Sequence, residues 1–182
     1  MNIPNILTLS RIVMIPVFVF IFYMPVQWSY LVSAAIFTLA AATDWLDGYL
    51  ARKLNQSTPF GAFLDPVADK LMVAVALAVL IEEHAALILT LPATVIIGRE
   101  IVISALREWM AEVGSRASVA VSYIGKIKTV AQMAAIIGLL AFPPSVVQSD
   151  IAIGLLYVAA GLTLWSMALY LKAAWPDLFP QE

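Results

Sequence analysis

Apolar runs broken by very few charges dominate this chain; IVMIPVFVFIFY, from Ile12 to Tyr23, carries none. Of its 182 residues 63% are hydrophobic and only 12% charged, with a mean hydropathy of +0.95. Soluble domains carry about a quarter charged residues, so a chain this poor in charge reads as an integral membrane protein. At roughly 20 residues per span there is room for about six helices joined by short loops, and none for a sizeable soluble domain beside them. The expected fold is all-α: a membrane bundle of six transmembrane helices, with residues 1–182 forming a single domain. Spans are expected near 12–23, 28–51, 61–81, 87–108, 118–141 and 151–173, after a short polar entry over residues 1–11. The first span is followed by no small-residue cleavage site and by many later spans, so it reads as a retained helix rather than a signal peptide. The second, third and fifth are less uniformly apolar than the others and should line something wet.

Charge placement orients the bundle. The ten basic residues avoid the first, third and fifth loops; the other side takes nearly all of them, with Lys70, Arg99, Lys126 and Lys128 about two to three turns inside spans and so functional suspects. By the positive-inside rule both termini are cytoplasmic, and Glu82, Glu83 and Asp150 face the opposite side. Tyr23, Trp28 and Tyr30 read as interfacial anchors on that far side, and Trp109 and Trp175 on the cytoplasmic one. His84 reads as a loop residue at the far interface, and Lys53 as a solvated orienting charge. Zero cysteines exclude disulfides and thiolate metal sites, and a single histidine excludes a multi-histidine site.

Four carboxylates then stand out, in DWLDGYLARKLNQSTPFGAFLDPVADK from Asp44 to Lys70. Asp44 and Asp47 lie three apart and close the second span; Asp65 and Asp69 lie four apart and open the third. Both spacings put a pair on one helix face. The hairpin brings all four to one cytoplasm-facing cavity. A charge near hydrocarbon costs on the order of 3 kcal/mol, and four acids together repel, so something strongly positive belongs among them. One or two Mg²⁺ or Mn²⁺ ions are the simplest candidate, since hard cations take carboxylate oxygens.

The full pattern is Asp44-x2-Asp47-Gly48-x2-Ala51-Arg52-x8-Gly61-x3-Asp65-x3-Asp69. It resembles the signature of the CDP-alcohol phosphotransferase family at every fixed position. The flanking segments NIPNILTLSR, GREIVISALREWM and SYIGKIKTVAQM are similar to the bacterial phosphatidylglycerophosphate synthase branch of that family, whereas the last span and tail carry little of the likeness. The resemblance implies an alcohol attacking the β-phosphorus of a CDP-linked lipid, with CMP leaving. It implies Asp44, Asp47 and Asp65 as metal ligands, and Asp69 as the base that takes the acceptor's hydroxyl proton, counted also among the metal-holding acids. On the same footing the CDP-lipid is contacted by Asn5, Thr8, Gly48, Ala51, Arg52 and Gly61. Small residues let a nucleotide approach the helix backbone, and Arg52 can hold a phosphate oxygen or orient a carboxylate. Taken without the motif, Gly48, Ala51 and Gly61 would read as packing contacts, and Asn5, Thr8 and Arg11 as helix entry and interfacial anchoring.

A second group, Arg99, Arg107, Arg116, Lys126 and Lys128, falls in or near the cytoplasmic halves of the fourth and fifth spans. Such cations suit an acceptor bearing a phosphate; serine or a neutral alcohol would not need them. The bland reading pairs Glu100 with Arg107, seven residues along the same helix face. Ser122, Lys126 and Thr129 share a face, from which Lys128 points away on an ideal helix, although its length lets it snorkel back. With the resemblance, the expected substrates are CDP-diacylglycerol and sn-glycerol 3-phosphate, in contact with membrane lipids. The resemblance further implies a homodimer in the bacterial inner membrane, with no nucleic-acid partner. The competing readings are a relative making phosphatidylserine, an inositol phosphate lipid or cardiolipin, and, outside enzymes, a divalent-cation transporter. Against the transporter, the acids lie towards one face beside a basic cluster, and no internal repeat is visible.

Overall fold

The computed structural model describes residues 3–54, 59–112 and 123–178. Six helices follow one another: α1 (Ile3–Phe22), α2 (Ser29–Leu54), α3 (Pro59–His84), α4 (Leu87–Glu112), α5 (Tyr123–Ala141) and α6 (Val147–Leu178). No strand occurs among the described residues. Asn5–Phe22, Leu87–Glu112 and Val147–Trp175 are long and apolar enough to cross a membrane. The apolar stretches of α2 and α5 are shorter, Ser29–Asp44 and Ile127–Ala141, because the remaining turns include Asp47, Arg52 and Lys53 in α2 and Lys126 in α5. Outward-facing Val13, Phe20, Leu31, Leu39, Leu91, Ile101, Ile151 and Trp165 are exposed. A surface this apolar suits lipid rather than water.

The first helix starts earlier than the hydropathy pattern suggests, at Ile3 instead of near residue 12. Asn5, Thr8 and Arg11 recur every three residues, so they share a face, and all three are buried. The segment that reads as a polar entry is therefore the inward stripe of a helix, with Thr8 bonded to Asp65 on α3 and Arg11 to Asp44 on α2.

Packing is most extensive between α5 and α6 and between α1 and α2; α1 also lies on α3, and α4 on α6 and α3. Gly138 is where α5 meets α6 closely: a Cβ there would come 3.0 Å from the Cβ of Ala152. Phe18, Phe37, Leu77, Leu80, Ile96, Ile136, Leu139 and Leu156 fill the apolar half of the core. Among the described residues α4 and α5 make no close backbone approach. A cavity occupies the space between them.

The end of the bundle remote from the motif acids is pinned by side chains. Tyr23 donates to Glu82 at 2.6 Å and Tyr30 to Glu83 at 2.6 Å. The Glu82 carboxylate that accepts its proton pushes the Tyr23 phenol up to about 12. His84, expected in a loop, is instead the last residue of α3, with Nδ1 on the Leu80 carbonyl at 3.1 Å and Nε2 on Ser149 Oγ of α6 at 3.2 Å. Ala85 follows at φ 45°, the left-handed turn that ends the helix.

Candidate active site

The buried stripe of α1 joins the two acid-bearing helices. Thr8 Oγ1 donates to Asp65 Oδ1 on α3. Arg11 Nη1 donates to Asp44 Oδ1 on α2 at 2.8 Å. Arg11 is 1% exposed and Asp44 42%, so the cation is withdrawn while the carboxylate keeps a face open. One turn beyond Asp65, Asp69 lies within electrostatic reach of Asp44, Arg11, Lys70 and Glu100. Three of the four motif acids thus converge at one end of the bundle. Asp47 follows Asp44 on α2 and Gly48, Ala51 and Arg52 continue that helix, but their side chains lie outside the described set. Gly61 is buried near the start of α3, and Asn5 is buried on α1. Among the described residues no three acids already stand as a metal-holding group. The donors are all carboxylate oxygens, the chemistry hard divalent cations take.

Asp69 also lines a cavity of about 290 Å³. From α3 it receives Asp69 and Lys70; from α4, Arg99, Glu100 and Arg107; from α5, Lys128 and Gln132; from α6, Ser166 and Tyr170. Asp69 therefore links the motif acids to the cations of α4 and α5: it lines their cavity and lies within electrostatic reach of Asp44.

Inside the cavity the cations are held by named partners. Arg99 Nη1 and Lys128 Nζ both donate to Glu100 Oε1, each at 2.8 Å. Arg99 Nη2 donates to Ser166 Oγ at 3.1 Å. Arg107 Nη2 donates to Tyr170 Oη at 2.7 Å, with the guanidinium 5.0 Å from the ring centroid. Arg99 Nε and Gln132 Oε1 are buried without a hydrogen-bond partner among the described residues. One expectation is corrected here. Glu100 does not pair with Arg107, because Arg99 beside it and Lys128 across the gap are nearer and Arg107 turns to α6. Lys128, off the shared face on an ideal helix, nevertheless reaches the cavity as its length allows: it is buried and lines it together with Gly125 and Thr129. Lys126 lies on α5 with its side chain outside the described set, and Arg116 lies outside the described residues altogether.

Sequence reasoning undervalued Arg11 and missed Ser166 and Tyr170. Arg11 sits three residues after Thr8, a helical spacing that was visible. Thr163, Ser166 and Tyr170 are polar residues at i, i+3 and i+7 in an otherwise apolar span, a stripe that marks an inward face.

A family profile described as CDP-alcohol phosphatidyltransferase matches residues 1–168. The chain is 60% identical to a CDP-diacylglycerol–glycerol-3-phosphate 3-phosphatidyltransferase of Pseudomonas fluorescens over 180 residues, covering 98% of this chain and 92% of the relative. It is 58% identical to proteins of that description from Shigella flexneri serotype 5b (strain 8401), with 99% and 98% covered, and from Yersinia pestis (strain Pestoides F), with 98% and 97% covered.

Proposed function

The chain belongs to the CDP-alcohol phosphatidyltransferase family, and from that premise we propose that it transfers a phosphatidyl group from CDP-diacylglycerol to sn-glycerol 3-phosphate. The acceptor's hydroxyl oxygen forms a bond to the β-phosphorus, the bond from that phosphorus to the bridging oxygen breaks, and CMP leaves with phosphatidylglycerophosphate as the other product. The acceptor's proton passes to a carboxylate. One observation carries this reading: Asp69 lines the cationic cavity and lies within electrostatic reach of Asp44. A base at that junction reaches an acceptor whose phosphate lies among Arg99, Arg107 and Lys128 while its hydroxyl points at the donor site.

Asp44, Asp47, Asp65 and Asp69 are proposed to hold Mg²⁺ or Mn²⁺, on the strength of their all-oxygen donor chemistry. The ion, when bound, neutralises the pyrophosphate and stabilises the leaving phosphate. Thr8 and Arg11 orient two of those carboxylates. Asn5, Thr8, Gly48, Ala51, Arg52 and Gly61 are the proposed contacts to the CDP-lipid, and Arg116 and Lys126 join the acceptor group. The proposed setting is the bacterial inner membrane, with both termini and the site cytoplasmic, and the enzyme a homodimer.

Release of CMP by the purified protein with a panel of alcohols decides the reaction. Glycerol 3-phosphate should support turnover, and serine, inositol phosphate and phosphatidylglycerol should not. Turnover with serine alone would replace the proposed acceptor. For orientation, a cysteine placed at Ser57 in this cysteine-free chain should resist impermeant thiol reagents applied to intact cells; its labelling from outside would invert the topology.

A further inference from the structure

Within the cationic cavity one carboxylate oxygen does the work of a ligand. Glu100 Oε1 accepts from Arg99 Nη1 and from Lys128 Nζ, at 2.8 Å each. Arg99 and Lys128 are both buried, whereas Glu100 is 24% exposed. The more accessible member of the trio is thus the anion, and it faces the cavity shared with Asp69 and Arg107. An oxygen set between a guanidinium and an ammonium occupies the place a phosphate oxygen would take. Helices α4 and α5 do not approach each other closely among the described residues, so the Glu100 to Lys128 contact reaches across the cavity itself.

We propose that Glu100 is a resident anion which the acceptor's phosphate displaces from Arg99 and Lys128, making it a specificity-determining residue. The proposal rests on the reading that the acceptor carries a phosphate. Two buried cations without a counterion would be strongly unfavourable in a membrane cavity. Glu100 neutralises part of that charge while the acceptor is away. A phosphate dianion carries enough charge to replace one carboxylate at both cations. A neutral hydroxyl compound carries none and leaves the pair closed. Discrimination between phosphorylated and free alcohols then comes from what must be displaced as well as from what is bound.

A plain structural tie between α4 and α5 predicts the opposite sign on substitution, and this makes the proposal testable. Glu100→Gln keeps the shape and removes the charge. Purified full-length protein in detergent is titrated calorimetrically with inorganic phosphate, wild type beside variant. The variant should bind phosphate roughly tenfold more tightly, since a competing charge-assisted bond is gone. Its KM for glycerol 3-phosphate should fall while that for CDP-diacylglycerol stays put. Unchanged or weaker phosphate binding by folded Glu100→Gln overturns the proposal and leaves Glu100 as a tie. Glu100→Asp, which keeps the charge but withdraws it by one methylene, gives a second reading if the first variant does not fold: a smaller gain in phosphate affinity supports the exchange, a loss overturns it. A wild type that binds phosphate but releases no CMP with glycerol 3-phosphate overturns the proposed reaction, while the comparison of phosphate affinities still decides the role of Glu100.

Discussion

Arg11 on α1 and Asp44 on α2 form an ion pair at 2.8 Å in which the cation is 1% exposed and the carboxylate 42%. The asymmetry matters. The guanidinium is committed to the protein, whereas the carboxylate retains an open side for other partners. Removing the cation leaves a motif acid without its orienting charge. Arg11→Ala should lower thermal stability by about 1.5–3 kcal/mol, the range for a hydrogen bond to a charged group. It should also reduce CMP release by at least about tenfold, and Arg11→Lys should recover part of both. An unchanged melting temperature and turnover in Arg11→Ala would show that the pair is incidental.

Thr8→Val tests the matching contact on α3. The substitution keeps the shape but deletes the hydroxyl that donates to Asp65. Turnover should fall by about tenfold, corresponding to roughly 1–1.5 kcal/mol, with the protein still folded in the membrane. Normal kinetics would mean that Asp65 holds its position unaided.

The proposed metal at the motif acids is tested by chelation. Chelation should stop CMP release, and Mg²⁺ or Mn²⁺ should restore it. Asp65→Ala should lower turnover by at least about a hundredfold at ordinary metal concentration, since such an ion contributes several kcal/mol to the transition state. Full activity after exhaustive chelation would eliminate the proposed ion.

Tyr170 separates acceptor binding from chemistry. Its hydroxyl accepts from Arg107 at 2.7 Å and its ring lies 5.0 Å from the guanidinium. Tyr170→Phe, which keeps the ring, should raise the KM for glycerol 3-phosphate by a few fold; Tyr170→Ala, which loses both contacts, by about tenfold or more. The KM for CDP-diacylglycerol should hold steady. Equal changes in both constants would instead report a collapsed cavity.

Gly138 tests the fold away from the site. A Cβ there would stand 3.0 Å from the Ala152 Cβ, so Gly138→Val should force α5 and α6 apart. Overpacking of this kind typically costs about 1–3 kcal/mol, visible as a lower melting temperature in detergent. Retained stability would mean that the two helices slide to accept the extra volume.

Much of this protein is legible in one dimension. Helix formation in an apolar solvent is dictated locally, because each backbone group must find its partner within its own segment. Hydropathy alone therefore marks the six helices, and spacing alone puts Asp44 with Asp47 and Asp65 with Asp69. The motif identifies the chemistry because its residues lie within one hairpin. Hydropathy misplaces the start of α1 for the same reason in reverse: Asn5, Thr8 and Arg11 look like an aqueous entry until Asp65 and Asp44 are seen facing Thr8 and Arg11.

What the linear chain left open is every pairing between helices distant in sequence. Glu100 has several cations within reach of its long side chain, and helical spacing favoured Arg107. The tertiary arrangement chose Arg99 and Lys128, because α5 presents Lys128 across the cavity and α6 draws Arg107 away through Tyr170. Periodicity places a residue on a face of its own helix but is silent about which helix that face meets. Sequence by itself thus determined the helices, their acids and the class of reaction. The tertiary packing decided which charges neutralise one another, since Coulomb energy depends on distances in space that separation along the chain does not contain.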